Sequence, residues 1–152
     1  MRVNPETYGK IQLRNILKFR YGATRVRFFL SAIKGGSVEG STKLRITDFY
    51  QNGCLVLSLN GHLNLTTSKQ LILEIPKMEA TSARHLILNL EQLQFLDSAG
   101  LGFLRRLHTE LQNQNKRVSL LNPKGFVKDS LDLVHFNRVF GIFSSLDEAL
   151  AS

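Results

Sequence analysis

The stretch best equipped for chemistry is residues 93–102, reading Leu93, Gln94, Phe95, Leu96, Asp97, Ser98, Ala99, Gly100, Leu101, Gly102. Here an apolar, strand-like run gives way to a helical pattern. A helix that starts at this point leaves its first backbone amides without intrahelical acceptors, and its dipole adds partial positive charge, so the turn is a ready site for an anion. Ser98 stands at that start, with the carboxylate of Asp97 before it. Spacing alone leaves two readings open: Asp97 or Ser98 simply caps the helix, or Ser98 is the residue on which the site acts. Capping does not account for Gly100 and Gly102. Glycine costs about 1 kcal/mol relative to alanine inside a helix, so both positions suggest a close approach to the backbone, by a partner protein or a phosphate.

Other chemistries lack their residues. The chain has no G-x-G-x-x-G and no G-x-x-x-x-G-K-[ST], and no G-x-S-x-G elbow. It also has no C-x-x-C, H-E-x-x-H or EF-hand loop, so no metal, cofactor or catalytic residue is expected. His62, His85, His108 and His135 are scattered without an evident pairing, and each reads as an ordinary polar or half-buried side chain. The single cysteine, Cys54, opens an apolar run with Leu55, Val56 and Leu57 and reads as a small buried hydrophobe. One cysteine excludes an internal disulfide, and a reducing, cytoplasmic compartment suits the chain.

The elements that must position Ser98 are legible from Lys43 onward. Leu44, Ile46 and Phe49 open a strand, Gln51, Asn52 and Gly53 turn it, and Cys54 to Leu59 make a second strand, together a hairpin. Thr67, Ser68, Lys69 and Gln70 have capping-box spacing before a helical stripe of Leu71, Ile72, Ile75 and Met78 that ends near Thr81. Residues 85–90 form a short apolar run expected as a central strand buried on both faces. A helix beginning near Ser98 carries Leu101, Leu104, Leu107 and Leu111 on one face, with Arg105, Arg106 and Glu110 on others. Val118, Leu120 and Leu121 make a further strand stopped by Asn122 and Pro123, and Val127, Leu131 and Val134 mark a third helix. The chain closes with Val139, Phe140, Ile142 and Phe143, then Ser145 to Glu148 as a second capping box before a last short helix. Alternating strands and helices predict an α/β domain with helices packed on a mostly parallel sheet.

The chain's 152 residues suffice for one domain with some to spare, and no segment approaches the roughly 18 apolar residues of a membrane span. The formal charge of +8 is unevenly spread. Residues 1–42 hold +6 of it, from eight Lys and Arg against Glu6 and Glu39, whereas residues 43–152 are nearly neutral. Three glycines and two serines between Gly35 and Thr42 read as a connector, which divides the chain into a basic extension, 1–42, and a folded domain, 43–152. Within the extension, Ile11, Leu13, Ile16, Leu17 and Phe19 interleave with Arg14, Lys18 and Arg20, compatible with weak contact with an anionic membrane surface. No aromatic platform or DNA-binding module accompanies the charge, so nucleic acid is not an expected partner.

Residues Gly61, His62 and Leu63, then Phe95 through Gly102, and the ending Phe140 through Leu150, closely resemble STAS domains of anti-sigma factor antagonists. The resemblance covers roughly residues 43–152. It implies a STAS-type fold, a mixed and mostly parallel sheet of about four to five strands with four helices packed on it. Carried over by position, Ser98 matches the serine phosphorylated by a cognate anti-sigma factor serine kinase, and Asp97 its acidic neighbour. Unphosphorylated, such a protein binds the anti-sigma factor and frees the sigma factor; phosphorylation ends the binding and a phosphatase restores it. The implied contact surface comprises Gly61, His62, Leu63, Asn64, Leu65, Asp97, Ser98, Ala99, Gly100, Leu101 and Arg105. Two residues depart from the family pattern: Ala99 stands where a second hydroxyl is frequent, and His62 where an arginine is. The alternative within the same fold is a STAS subunit of a lipid ABC transporter or of a stress-signalling scaffold.

Overall fold

In a computed structural model, which describes residues 43–152, Asn52 and Gly53 both take positive φ, 52° and 75°. That is the backbone a two-residue hairpin turn requires. It joins β1 (Leu44–Gln51) to β2 (Cys54–Leu63) in antiparallel register, Gln51 opposite Cys54 and Leu44 opposite Gly61. The order continues with α1 (Ser68–Glu74), α2 (Pro76–Ala80), β3 (His85–Leu96), α3 (Ser98–Gln112), β4 (Arg117–Leu121), α4 (Gly125–Leu133), a 3-10 turn (Phe136–Arg138), β5 (Gly141–Phe143) and α5 (Leu146–Ala151). The strands lie in chain order, β1-β2-β3-β4-β5, and every pair after the hairpin is parallel.

This topology dictates the layers. Parallel neighbours in chain order are joined by crossovers that all move the same way, and right-handed crossovers then place every connecting helix on one face. Leu55, Leu57 and Leu59 of β2 and Leu86, Leu88 and Leu90 of β3 meet Leu71, Met78, Leu104 and Val127 from the helices on that face. Helix α5 follows the last strand and is under no such constraint. It covers the other face, where Ala149 packs with Cys54, Val56, Ile87 and Leu121. The central strand is therefore buried on both sides over residues 85–88 and again at Leu90, as its apolar run predicts, with Asn89 between them half-buried.

Several boundaries differ from the sequence pattern for local reasons. Strand β3 continues six residues past Leu90 to Leu96. Beyond Asn89 it has lost β4 as a neighbour and pairs only with β2, so Glu91, Gln92, Gln94 and Phe95 are exposed and the apolar signal fades while the ladder persists. The first predicted helix is two pieces, because Pro76 has no N–H to continue the bonding and stands at the first position of α2. Thr67 does not cap α1: its hydroxyl donates to the His62 carbonyl at 2.7 Å and accepts from the Asn64 amide at 2.9 Å. Val134 lies past the end of α4 and is exposed. Ser145 does cap α5, accepting from the Glu148 amide at 3.3 Å, while the Glu148 carboxylate reaches back to Ser144.

Candidate functional site

Strands β2 and β3 end side by side, Leu63 opposite Leu96, and the chain leaves β3 through one residue, Asp97, into α3. Asp97 is the cap. Its backbone is extended (φ −93°, ψ 178°), its carboxylate accepts from the Gly100 amide at 2.7 Å, and its carbonyl accepts from the Leu101 amide at 2.9 Å. Of the two capping candidates that the spacing offered, Asp97 does the capping and Ser98 does not. Ser98 is the first helical residue, exposed, and its hydroxyl has no hydrogen-bond partner among the described residues.

The two glycines have different explanations. A Cβ on Gly100 would lie 2.4 Å from the Leu63 carbonyl oxygen and 2.7 Å from Leu96 Cδ1. The close approach expected at Gly100 is therefore made by the end of β2, not by a ligand or partner. Gly102 meets only the Arg106 guanidinium, at 3.9 Å, and its backbone is open. Gly61 is required on conformational grounds, with φ of +115°, and a Cβ there would lie 2.1 Å from the Lys43 carbonyl oxygen. That carbonyl accepts from the His62 amide at 3.1 Å, which ties the start of β1 to the same edge of the sheet.

The structure gathers the sequence-derived contact set at this edge except Arg105, which lies about two turns along α3 from Ser98, and two of the gathered residues face inward. Leu63 is fully buried and Gly100 is buried, so both set geometry and offer no side-chain surface. Leu65, Ser98 and Arg105 are exposed; Gly61, His62, Asn64, Asp97, Ala99 and Leu101 are half-buried. The loop bearing Asn64 and Leu65 is fixed by its own bonds, since the Asn64 side-chain oxygen accepts from the amides of Thr66 (2.9 Å) and Thr67 (3.0 Å). The sequence-derived contact set leaves out two aromatic residues here: Phe95, named in the sequence only as part of the junction, and Phe126, not singled out at all. The ring of Phe95 stacks on that of Phe126 at 5.4 Å with 2° between planes, and His62 tilts against Phe95 at 5.6 Å. An isolated phenylalanine beside Gly125 carries no sign in the sequence that α4 will bring it to the end of β3.

Histidine chemistry lies elsewhere. His85 is buried on the far face, with Nε2 2.8 Å from Ser119 Oγ and Nδ1 3.7 Å from Cys54 Sγ. Burial, aided by the Arg117 charge, lowers the His85 pKa to about 4, and burial raises that of Cys54. The imidazole is thus neutral and the thiol protonated near pH 7, which gives the cluster no activated nucleophile. His85 does pair, contrary to the sequence impression that no histidine does; adjacent strands bring together residues more than thirty positions apart. Among the described residues no group of three or more His, Cys, Asp or Glu could hold a metal, and no helix is long and apolar enough to cross a membrane. Clefts of about 130 and 260 Å³ lie on the α5 side of the sheet, and Ser98 lines neither. The residue boundary at 42/43 and the basic, membrane-compatible pattern of residues 1–42 fall outside the described residues.

Comparison with known proteins matches residues 47–149 to the STAS domain family. The anti-sigma-F factor antagonist RsfB of Mycobacterium tuberculosis is 26% identical over 114 residues, spanning 75% of this chain and 91% of that protein. Among solved structures, an anti-sigma factor antagonist from Mycobacterium paratuberculosis superposes with a TM-score of 0.64 at 22% identity, covering 75% of this chain and 97% of that one. The anti-sigma factor antagonist SpoIIAA superposes in its unphosphorylated form (TM-score 0.58, 23% identity, 71% and 93% coverage) and in its phosphorylated form (0.54, 23%, 72% and 97%). At these identities the structural likenesses establish the fold, a five-stranded mixed sheet with its helices arranged as in those proteins.

Proposed function

Because this chain belongs to the STAS domain family, we propose that it is an anti-sigma factor antagonist, a cytoplasmic binding switch and not an enzyme, controlled by phosphorylation of Ser98. The observation that carries the reading is the division of labour at the start of α3. Asp97 supplies the cap and leaves the Ser98 hydroxyl exposed and unbonded. A serine needed for the fold would be spent on the fold; this one is available to a kinase.

In this reading the unphosphorylated protein binds an anti-sigma factor that is also a serine kinase, and so frees the sigma factor. The kinase transfers the γ-phosphoryl group of ATP to Ser98 Oγ, with ADP leaving and the hydroxyl proton released. The product carries about −1.5 to −2 additional charges. If an acidic group of the partner faces Ser98 at about 4 Å, the repulsion is about 4 kcal/mol per pair of unit charges at an effective dielectric near 20. That weakens the complex about a thousandfold. A phosphatase reverses it. The existence of SpoIIAA in both phosphorylated and unphosphorylated forms supports the same cycle here.

The test is intact mass with site mapping after incubation with ATP and each candidate serine kinase of the same organism, parent against Ser98→Ala. One phosphate on Ser98, absent from the variant and accompanied by loss of binding, is the expected result. No phosphate with any kinase, together with a stable complex with a transporter ATPase or a scaffold protein, would sink the proposal.

A further inference from the structure

The edge that presents Ser98 also presents an aromatic surface that the core does not use. Phe95 is 39% exposed and Phe126 55% exposed, and Leu65, in the neighbouring loop, is 56% exposed. His62, Phe95 and Phe126 form one row across β2, β3 and the first turn of α4. Helix α4 is anchored by Val127 and Leu131, both fully buried, and has no packing need for Phe126. Burying a phenylalanine is favourable, and a pairwise stack recovers only part of that gain. The row is therefore unsatisfied apolar surface.

Its surroundings select the occupant. Lys124, two residues before Phe126, is paired with Glu91, four residues before Phe95, at 2.7 Å. An apolar centre beside a neutralised ion pair suits an apolar side chain at a protein interface, not a charged ligand. Footprint gives the same answer. A stable protein complex covers about 800 Å² on each partner, far more than the first turn of one helix. Phe95 is three residues from Ser98, at most about 10–11 Å along the chain, and Phe126 is one ring step of 5.4 Å further. A protein seated on Ser98 with such a footprint has the reach to cover these rings.

We infer that the anti-sigma partner that reads Ser98 also docks an apolar side chain on the Phe95–Phe126 stack, so that α4 is part of the interface. The inference rests on the partner reading above and adds the anchor to it. The rings supply affinity and Ser98 supplies control, so the two effects are separable.

The experiment is calorimetric titration of the kinase that modifies Ser98 into the parent, Phe126→Ala, Phe126→Gln and Leu133→Ala, with melting temperatures for each. Both Phe126 variants are expected to bind about 30-fold more weakly, about 2 kcal/mol at 1.4 kcal/mol per tenfold. Leu133→Ala, at the opposite end of α4 and 82% exposed, is expected to bind like the parent. Melting temperatures should stay near that of the parent. Binding by both Phe126 variants within threefold of the parent overturns the inference while leaving the Ser98 reading intact. Self-association abolished by Phe126→Ala with kinase affinity unchanged overturns it in favour of a second copy of the chain. Absence of binding by every kinase removes the Ser98 reading itself, and the inference with it.

Discussion

Alanine at two positions of the same helical turn is expected to move stability in opposite directions. At an open helical site, glycine to alanine gains about 0.5–1 kcal/mol. Gly102 is such a site, its nearest foreign atom 3.9 Å from the added methyl, so Gly102→Ala should keep that gain. At Gly100 the methyl would sit 2.4 Å from the Leu63 carbonyl oxygen and 2.7 Å from Leu96 Cδ1. Neither can yield cheaply. Leu63 is at the paired end of β2 and Leu96 is 2% exposed, enclosed by core. Relief requires α3 to shift, which strains the Asp97 cap on Gly100, worth about 1 kcal/mol, and overpacking itself costs about 1–3 kcal/mol. After the propensity gain is deducted, Gly100→Ala should destabilise by about 1–3 kcal/mol, leaving the variants about 2–4 kcal/mol apart. Urea unfolding with a common slope reads this directly, and each kcal/mol corresponds to roughly 4–8 °C in Tm for a domain near this size. Shifts in the same direction, or Gly100→Ala within about 0.5 kcal/mol of the parent, would refute the account of α3 docking on β2.

Acid should weaken the fold through His85. Its native pKa of about 4 lies below the ordinary 6.5, so the unfolded chain binds a proton first, and stability falls as pH drops from about 6.5 to about 4. The loss approaches about 3 kcal/mol, and urea midpoints at pH 7 and 4.5 should differ less in His85→Gln than in the parent; equal pH dependence counts against it. Gly61→Ala should destabilise by about 2–4 kcal/mol, since it combines a disfavoured positive φ with a methyl 2.1 Å from the Lys43 carbonyl. The accompanying sign is faster hydrogen exchange at the His62 amide, which that carbonyl holds; unchanged stability and exchange would contradict the assignment.

Fold class was legible because the periodicities are strong. Leu101, Leu104, Leu107 and Leu111 face the sheet at helical spacing, and the Asn52–Gly53 turn announces its hairpin. The junction that carries Ser98 was legible because an apolar strand-like run gives way there to helical leucine spacing, and β3 does end at Leu96 with the helix starting at Ser98. What escaped was whatever depended on non-local neighbours. Thr67 has the residue type and spacing of a cap, but His62 and Asn64 claim its hydroxyl. Gly100 and Gly102 are equivalent in sequence and differ only because β2 ends against one of them. His85 meets Ser119 and Cys54, and Phe126 meets Phe95, only once separate elements are laid side by side.

One charge can control binding while sparing the fold, because the two processes see it through different dielectrics. On the free protein, a phosphoryl group on Ser98 would sit in water at the positive end of α3, gaining about 0.3–1 kcal/mol from the dipole. Repulsion from the Asp97 carboxylate, at about 6 Å in bulk water, would cost about 0.7 kcal/mol per unit of phosphate charge. These terms are of similar size, so folding changes by about 1 kcal/mol or less. Within an interface, water is displaced and the effective dielectric falls to about 20, which multiplies each unlike or like pair about fourfold. The capped geometry keeps this distinction clean. Because Asp97 is bonded to Gly100 and the Ser98 hydroxyl to nothing among the described residues, the proposed modification would break no native bond there, and the larger part of its effect would come when a partner closes over it.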